Sequence, residues 1–232
     1  MPKAKKSSEV DRVYTLLKTW IIECRFRPGD FLPEVEVARQ CKTSRTPIRE
    51  ACNRLANEKW VSKIQNKGYL VTPVSLQDVI EVYQYRKLLE CFTAERAAQV
   101  IRPQESAALR KLLSVEGKPN ARVAEIIEVN RVFHLSLGQL AQNQRVLEQL
   151  RLTLEYVHRL DILSTQRNTE WVAHGAILSA IEAHNPEAAS QAMAEHIDHS
   201  RDRMLNIFFR GELSGIQQMP PLPLDERWLS TL

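Results

Sequence analysis

The sequence predicts a mainly α-helical protein in two parts, a small head of three helices closed by a β-hairpin and a larger all-helical body. Three observations carry that reading. Apolar residues recur at helical spacing through most of the 232 residues, and the only convincing alternating runs are residues 61–65 and 69–72, either side of the turn signal Asn66-Lys67-Gly68. Charge is divided unevenly: residues 1–73 hold 15 Lys and Arg against 8 Asp and Glu, net +7, while the rest holds 17 against 20, net −3, giving +4 for the chain. The length suffices for two separate cores, the second of about 150 residues. A basic head on a slightly acidic body suits a phosphate-binding module joined to something that binds neither nucleic acid nor membrane.

Residues 1–8 carry Lys3, Lys5 and Lys6 without an apolar core, so they read as a flexible basic tail and not as a signal peptide. No stretch approaches the 18 apolar residues or so of a membrane span, and a cytoplasmic location with no membrane partner is expected. The first helix is predicted over 10–24, where Val13, Leu16, Leu17, Trp20 and Ile21 form one stripe. Pro28-Gly29-Asp30 turns the chain, and a short second helix follows over 34–41.

The third helix carries the most information. Ser44 is placed to cap it, and Pro47 falls in the first turn, where a missing N–H costs nothing. Arg45, Thr46, Arg49 and Asn53 fall along one side, and Ile48, Ala51, Cys52 and Leu55 along the other. Arginines at the start of a helix and one turn later can reach phosphate or pair in bidentate fashion with guanine. Alone, the stripe fits an ordinary solvated helix equally well. Two helices before it and a hairpin bearing Lys67 and Gly68 after it make a winged helix-turn-helix, whose third helix enters the major groove and whose wing approaches the backbone or minor groove of double-stranded DNA. Trp20 and Trp60 read as core or interface residues.

Beyond the hairpin, Ser75-Leu76-Gln77-Asp78 has the form of a capping box and opens a helix running to about residue 100. Further helices are predicted over 103–115, 121–141, 144–164, 169–183 and 186–209, the last begun by Asn185-Pro186 as N-cap and N1. Met219-Pro220-Pro221-Leu222-Pro223 excludes helix near the end. The expected division is 1–8 tail, 9–73 DNA-binding head, 74–212 helical effector-binding and dimerisation body, and 213–232 Pro-rich tail. Cys24, Cys41, Cys52 and Cys91 lack CxxC spacing and read as small apolar residues, against a disulfide framework or zinc knuckle.

All six histidines lie in the body. His134 shares a face with Ile127, Leu137 and Ala141; His174 with Ile177, Leu178 and Ile181; His196 stands one turn beyond Ala192 and Met193. Three imidazoles on three helices can converge on a metal, or each can be a core histidine satisfied by a neighbour; the spacing leaves both open. His158 and His184 look like surface or helix-end residues, and His199 is an outside candidate. There is no HExxH and no carboxylate at helical spacing beside the trio to act as a general base, which argues against a metal-dependent hydrolase carrying a DNA-binding head.

Over residues 13–72 the chain resembles the GntR family of bacterial transcription regulators: Tyr14, Leu17-Lys18, Pro28-Gly29, Glu34, Val37-Ala38, the run from Ser44 to Ala51, Arg54-Leu55 and Gly68 stand in order with family-like spacing. The C-terminal half is similar to the FCD ligand-binding domain of the FadR branch, in Arg86-x-x-Leu89-Glu90-x-x-Thr93-Ala94, in Phe133-His134, and in His174 followed 22 residues later by His196. The resemblance implies a non-enzymatic, homodimeric regulator of transcription, a repressor by expectation, with an FCD-like helical bundle. It places Arg45, Thr46, Arg49 and Gly68 on operator DNA and a small carboxylate effector in the body. It further implies a divalent metal, Zn²⁺ or Ni²⁺, held by His134, His174, His196 and an aspartate four residues before the first histidine. This chain has Asn130 there, a neutral and weaker ligand, so Asn130→Asp is expected to tighten metal binding. The metal-free alternative is an anion held by His134, His196 and Arg86.

Overall fold

The computed structural model describes residues 8–118, 120–164 and 172–209. In the head, α1 (Glu9–Ile22) is opened by a capping box in which Ser8 accepts from Asp11 N–H, and it buries Val13, Leu17 and Ile21. The chain turns through Gly29, whose φ of 86° suits a residue without a side chain, into the two-residue strand β1 (Phe31–Leu32). Then come α2 (Glu34–Gln40), α3 (Arg45–Asn57) and the wing strands β2 (Val61–Ile64) and β3 (Gly68–Val71). β3 lies between β1 and β2, antiparallel to both, with Ile64 opposite Gly68 at the hairpin end. The sequence predicts only the hairpin; β1 is too short to show alternation, yet it turns the wing into a three-stranded sheet.

The head core joins α1 to α3 through Val13, Leu17, Ile21, Ile48, Ala51, Cys52 and Leu55, closed below by Leu32, Val61, Tyr69 and Val71. Burying such side chains contributes on the order of 1.5–3 kcal/mol each. Ser44 occupies the N-cap position of α3, but its side chain makes no capping bond, unlike the expectation.

The body begins with α4 (Leu76–Val100), opened by the predicted Ser75–Asp78 capping box. It continues through α5 (Pro103–Leu113), α6 (Val123–Leu140), α7 (Gln144–Ser164), α8 (Gly175–Glu182) and α9 (Pro186–Phe209). α4 lies along α9 and touches α6, α7 and α8, so it is the axis of the bundle. Gly138 lets α6 and α7 approach closely, since a Cβ there would stand 2.8 Å from Leu150 Cδ2. α8 starts later than the predicted 169, leaving His174 at its N-cap; residue 169 itself, like most of the 1–8 tail and all of the 213–232 tail, lies outside the described residues.

Head and body meet on α7. Lys18 of α1 reaches Glu155 at 2.7 Å and Glu58 at 3.0 Å, and Trp60 lies 6.0 Å from Tyr156, ring centre to ring centre. Buried Arg159 donates to the carbonyl of Thr72 at 3.0 Å, and Thr72 N–H closes the wing base on Trp60 O. Among the described residues, no helix is long and apolar enough to cross a membrane.

Candidate functional site

Two faces gather the predicted residues. On the head, Arg45, Thr46, Arg49 and Asn53 are exposed along α3 while Ile48 and Leu55 are buried, as the helical periodicity requires. Arg49 Nε donates to Glu34 Oε2 at 2.9 Å, which fixes the guanidinium at the edge of the face. Tyr69 of β3 donates its hydroxyl to Asn53 Oδ1 at 2.8 Å and lies 3.3 Å from Arg49 O, so the wing is bolted to α3. At the wing tip Asn66 (φ 60°) and Gly68 (φ 94°) take left-handed backbone, and Lys67 is exposed between them. Only a glycine adopts the second conformation without strain. A groove of about 670 Å³ runs between the start of α2, α3 and the wing, lined by Arg49, Asn53, Lys63, Lys67 and Gly68 among others. Arg54, in contrast, faces away, paired with Asp11 at 2.7 Å and stacked 4.1 Å above the Tyr14 ring.

In the body, His134 of α6, His174 at the N-cap of α8 and His196 of α9 come together, and their ligand atoms lie within 4.8 Å of one another. All three are buried. His199, the outside candidate, is exposed on the far side of α9 and takes no part, because it stands one turn from His196 but rotated out of the bundle. His184 ends α8 with its ring on the carbonyl of Ala98, and His158 is half-buried on α7, away from the trio.

The protonation pattern follows from the carboxylates behind the rings. Glu90, one turn after Arg86 on α4, is brought to about 2 by Arg86 and His134 although burial alone would raise it, so it is ionised. It faces His134 Nδ1, and burial holds His134 neutral, with a pKa lowered to about 4. A neutral ring against a carboxylate turns its N–H to it, which leaves Nε2 as an acceptor aimed inward, 3.5 Å from Arg86 Nη2. Glu116, in the turn after α5, faces His174 Nδ1 and accepts from its backbone N–H at 3.3 Å. The two Nε2 atoms then stand 3.2 Å apart, and Asn130 Oδ1 is 3.1 Å from His174 Nε2. Two imidazole nitrogens and an amide oxygen this close share a proton or a cation.

His196 completes the argument. Among the described residues neither buried ring nitrogen makes a side-chain hydrogen bond, with the backbone of Ala173 beside the ring, and burial holds its pKa well below 6.5. Buried nitrogens this poorly satisfied are costly unless something binds them. Tetrahedral Zn²⁺ with Zn–N near 2.0–2.1 Å places its ligands about 3.3 Å apart, close to the His134–His174 spacing. The residues present therefore fit a divalent ion, with histidines oriented by carboxylates in the manner of metal sites.

The adjoining cavity, lined by Tyr83, Arg86, Asn130, Asp161, His174 and His196 among others, measures only about 10 Å³, room for one water or ion. Arg86, predicted to hold the effector, lines it but is 1% exposed and already bound to Glu90 at 2.6 Å, with Nη2 3.5 Å from His134 Nε2. Tyr83 presents a buried hydroxyl beside Arg86, its pKa pushed up to about 12 by burial. Sequence reasoning missed Glu116, Asp161 and Tyr83 and took Glu90 only as part of a pattern. The Arg86–Glu90 spacing of four was a legible ion pair. Glu116 and Asp161 come from other elements and leave no local signal.

Comparisons with known proteins give the family. Residues 9–71 match the family model described as bacterial regulatory proteins, gntR family, and residues 81–199 match the FCD domain. The chain is similar to the Nta operon transcriptional regulator of Aminobacter aminovorans, 30% identical over 197 residues, covering 84% of this chain and 93% of that protein. It is 31% identical over 223 residues to the Uxu operon regulator of Haemophilus influenzae, covering 85% and 84%. Against the HTH-type transcriptional repressor RspR of Escherichia coli the identity is 26% over 205 residues, covering 84% and 89%. Among solved structures, E. coli McbR/YncC shares the fold with a TM-score of 0.71 at 21% identity, covering 87% of this chain and 99% of that one.

Proposed function

The chain belongs to the GntR family of transcription regulators with an FCD effector-binding domain, and from that premise we propose how it works: a homodimeric repressor whose grip on operator DNA is set by a small carboxylate bound in the body beside a divalent metal. Arg45, Thr46 and Arg49 read the major groove, and Lys67 and Gly68 bring the wing to the backbone. His134, His174, His196 and Asn130 hold Zn²⁺ or Ni²⁺, which supplies a positive centre and an open position for an acid. Arg86 and Tyr83 stand on the same wall as further donors. The observation that carries this reading is the convergence of buried His134, His174 and His196, with ligand atoms within 4.8 Å of one another and Asn130 Oδ1 beside them.

Dimerisation is supported by an exposed apolar stripe on α4, where Tyr85, Leu88 and Phe92 are 41%, 74% and 37% exposed at helical spacing. Leu152 of α7 extends it, since Tyr85 is bonded to Gln149 one turn earlier. The metal-free reading, an anion on His134, His196 and Arg86, is disfavoured because Arg86 is neutralised by Glu90. A hydrolase is disfavoured because Glu90, Glu116 and Asp161, the carboxylates at the trio among the described residues, are each held by a histidine, or by Asn130 and Arg203.

Calorimetric titration of chelator-stripped protein with Zn²⁺ and Ni²⁺ tests the metal. Release of the protein from its selected operator by a panel of small carboxylates, with and without Zn²⁺, tests the effector. Saturable metal binding at one site per chain and metal-dependent release are expected. Release that is indifferent to metal would favour the anion site.

A further inference from the structure

The geometry points to Asp161 as the residue that makes Asn130 a metal ligand: it holds the amide nitrogen and so turns the amide oxygen toward the ion. The inference rests on the metal reading above. Asn130 Nδ2 donates to Asp161 Oδ2 at 3.3 Å, while Oδ1 points to His174 Nε2 at 3.1 Å. Reversing the amide would set its oxygen against the carboxylate, acceptor on acceptor, so Asp161 selects the inward orientation of Oδ1. Asp161 is 2% exposed and belongs to α7, and Arg203 of α9 donates to its other oxygen at 3.0 Å.

The arrangement repeats what stands behind the histidines. Glu90 backs His134, Glu116 backs His174, and Asp161 backs Asn130, each from an element other than the ligand's own. Such outer partners fix the orientation of a ligand and raise its donor strength.

One consequence differs from the expectation drawn from the sequence, and titration with Zn²⁺ decides between them. Asn130→Asp alone does not simply restore a stronger ligand, because it sets a second carboxylate against buried Asp161 at the present 3.3 Å separation. Two carboxylates that close repel, and the hydrogen bond by which Asp161 aims the side chain inward is lost. The productive change is the exchange Asn130→Asp with Asp161→Asn, which keeps one carboxylate and one amide and moves the charge inward.

Zn²⁺ alone is titrated calorimetrically into the full-length, chelator-stripped wild type, Asp161→Asn, Asn130→Asp and the exchange variant, with thermal melting of each and the visible spectrum of the Co²⁺-loaded forms. Asp161→Asn is expected to weaken Zn²⁺ by about 10- to 100-fold and to alter the Co²⁺ spectrum, as loss of an outer partner does. Asn130→Asp gains nothing, and the exchange variant binds at least as tightly as wild type. If Asp161→Asn does not fold, the exchange variant decides, since it retains the charge count. Unchanged affinity and spectrum in Asp161→Asn, tighter binding in Asn130→Asp alone, or no rescue by the exchange each overturns the role of Asp161. Absence of Zn²⁺ binding by the wild type overturns the metal site itself, and the inference with it.

Discussion

Replacing Arg49 by alanine tests the DNA face most sharply, because the structure ties that side chain to a carboxylate. A bidentate contact between arginine and guanine is worth about 1–3 kcal/mol, so its loss weakens operator binding roughly 5- to 140-fold. Arg49 also neutralises Glu34, whose side chain is 17% exposed at the edge of the same groove. Its removal leaves a bare carboxylate facing phosphate, so Arg49→Ala is expected to lose more affinity than Arg45→Ala, and adding Glu34→Ala to it recovers part of the loss. Stability is little affected, since a pair in which Arg49 is 59% exposed contributes at most about 1 kcal/mol. The assay is fluorescence anisotropy on a labelled operator duplex at one fixed salt concentration, alongside thermal melting and light scattering. Arg49→Ala binding within about twofold of wild type, while dimeric and melting normally, refutes the reading of α3; a double variant weaker than Arg49→Ala refutes the part given to Glu34.

Three further outcomes are expected. Light scattering reports a dimer, and Leu88→Glu, which puts a charge in the middle of the α4 stripe, shifts it to monomer; a dimer indifferent to that change places the interface elsewhere. Because His134 in the folded chain takes a proton only near 4, against 6.5 when unfolded, the unfolded state binds the extra proton between those values and metal-free stability falls as pH drops from 6.5 toward 4. His196 acts in the same sense, so urea melts at pH 7 and 5 differ more in wild type than in His134→Gln, and equal differences contradict the burial argument. Burial raises all four thiols, Cys52 to about 12, so a thiol-specific chromogenic reagent at pH 8 labels the native protein slowly and all four cysteines once it is unfolded; rapid native labelling of Cys52 would mean that the head core opens.

What could be read from the chain depended on the range of the signal. The helix of Arg45 and Arg49, the capping box at Ser75–Asp78 and the Asn185-Pro186 start are local patterns, and the structure carries each of them, Ala188 N–H bonding to Asn185 Oδ1 at the last. β1 was invisible because two residues cannot alternate, and the missing side-chain bond at Ser44 shows that residue type at an N-cap gives a position without guaranteeing the contact. The histidines could be assigned to inward faces from periodicity, but that Asn130 is gripped by a residue 31 positions later, or that Glu116 stands behind His174 from 58 positions earlier, depends on packing between helices. Local periodicity reports which way a side chain faces and nothing of whom it meets.

Tyr156 packs against the hydrophobic cores of both the head and the body. With Arg159 and Glu155 it makes α7 a keel to which the base of the wing is riveted, so the two halves are not beads on a string. Denaturant should therefore melt them together, in one cooperative step, and a head severed after the wing would expose the Trp60 face that the keel now shields. For the same reason a chimera that grafts this head onto a foreign body inherits the fold of the reader but loses its mooring, unless the aromatic seam is carried across with it.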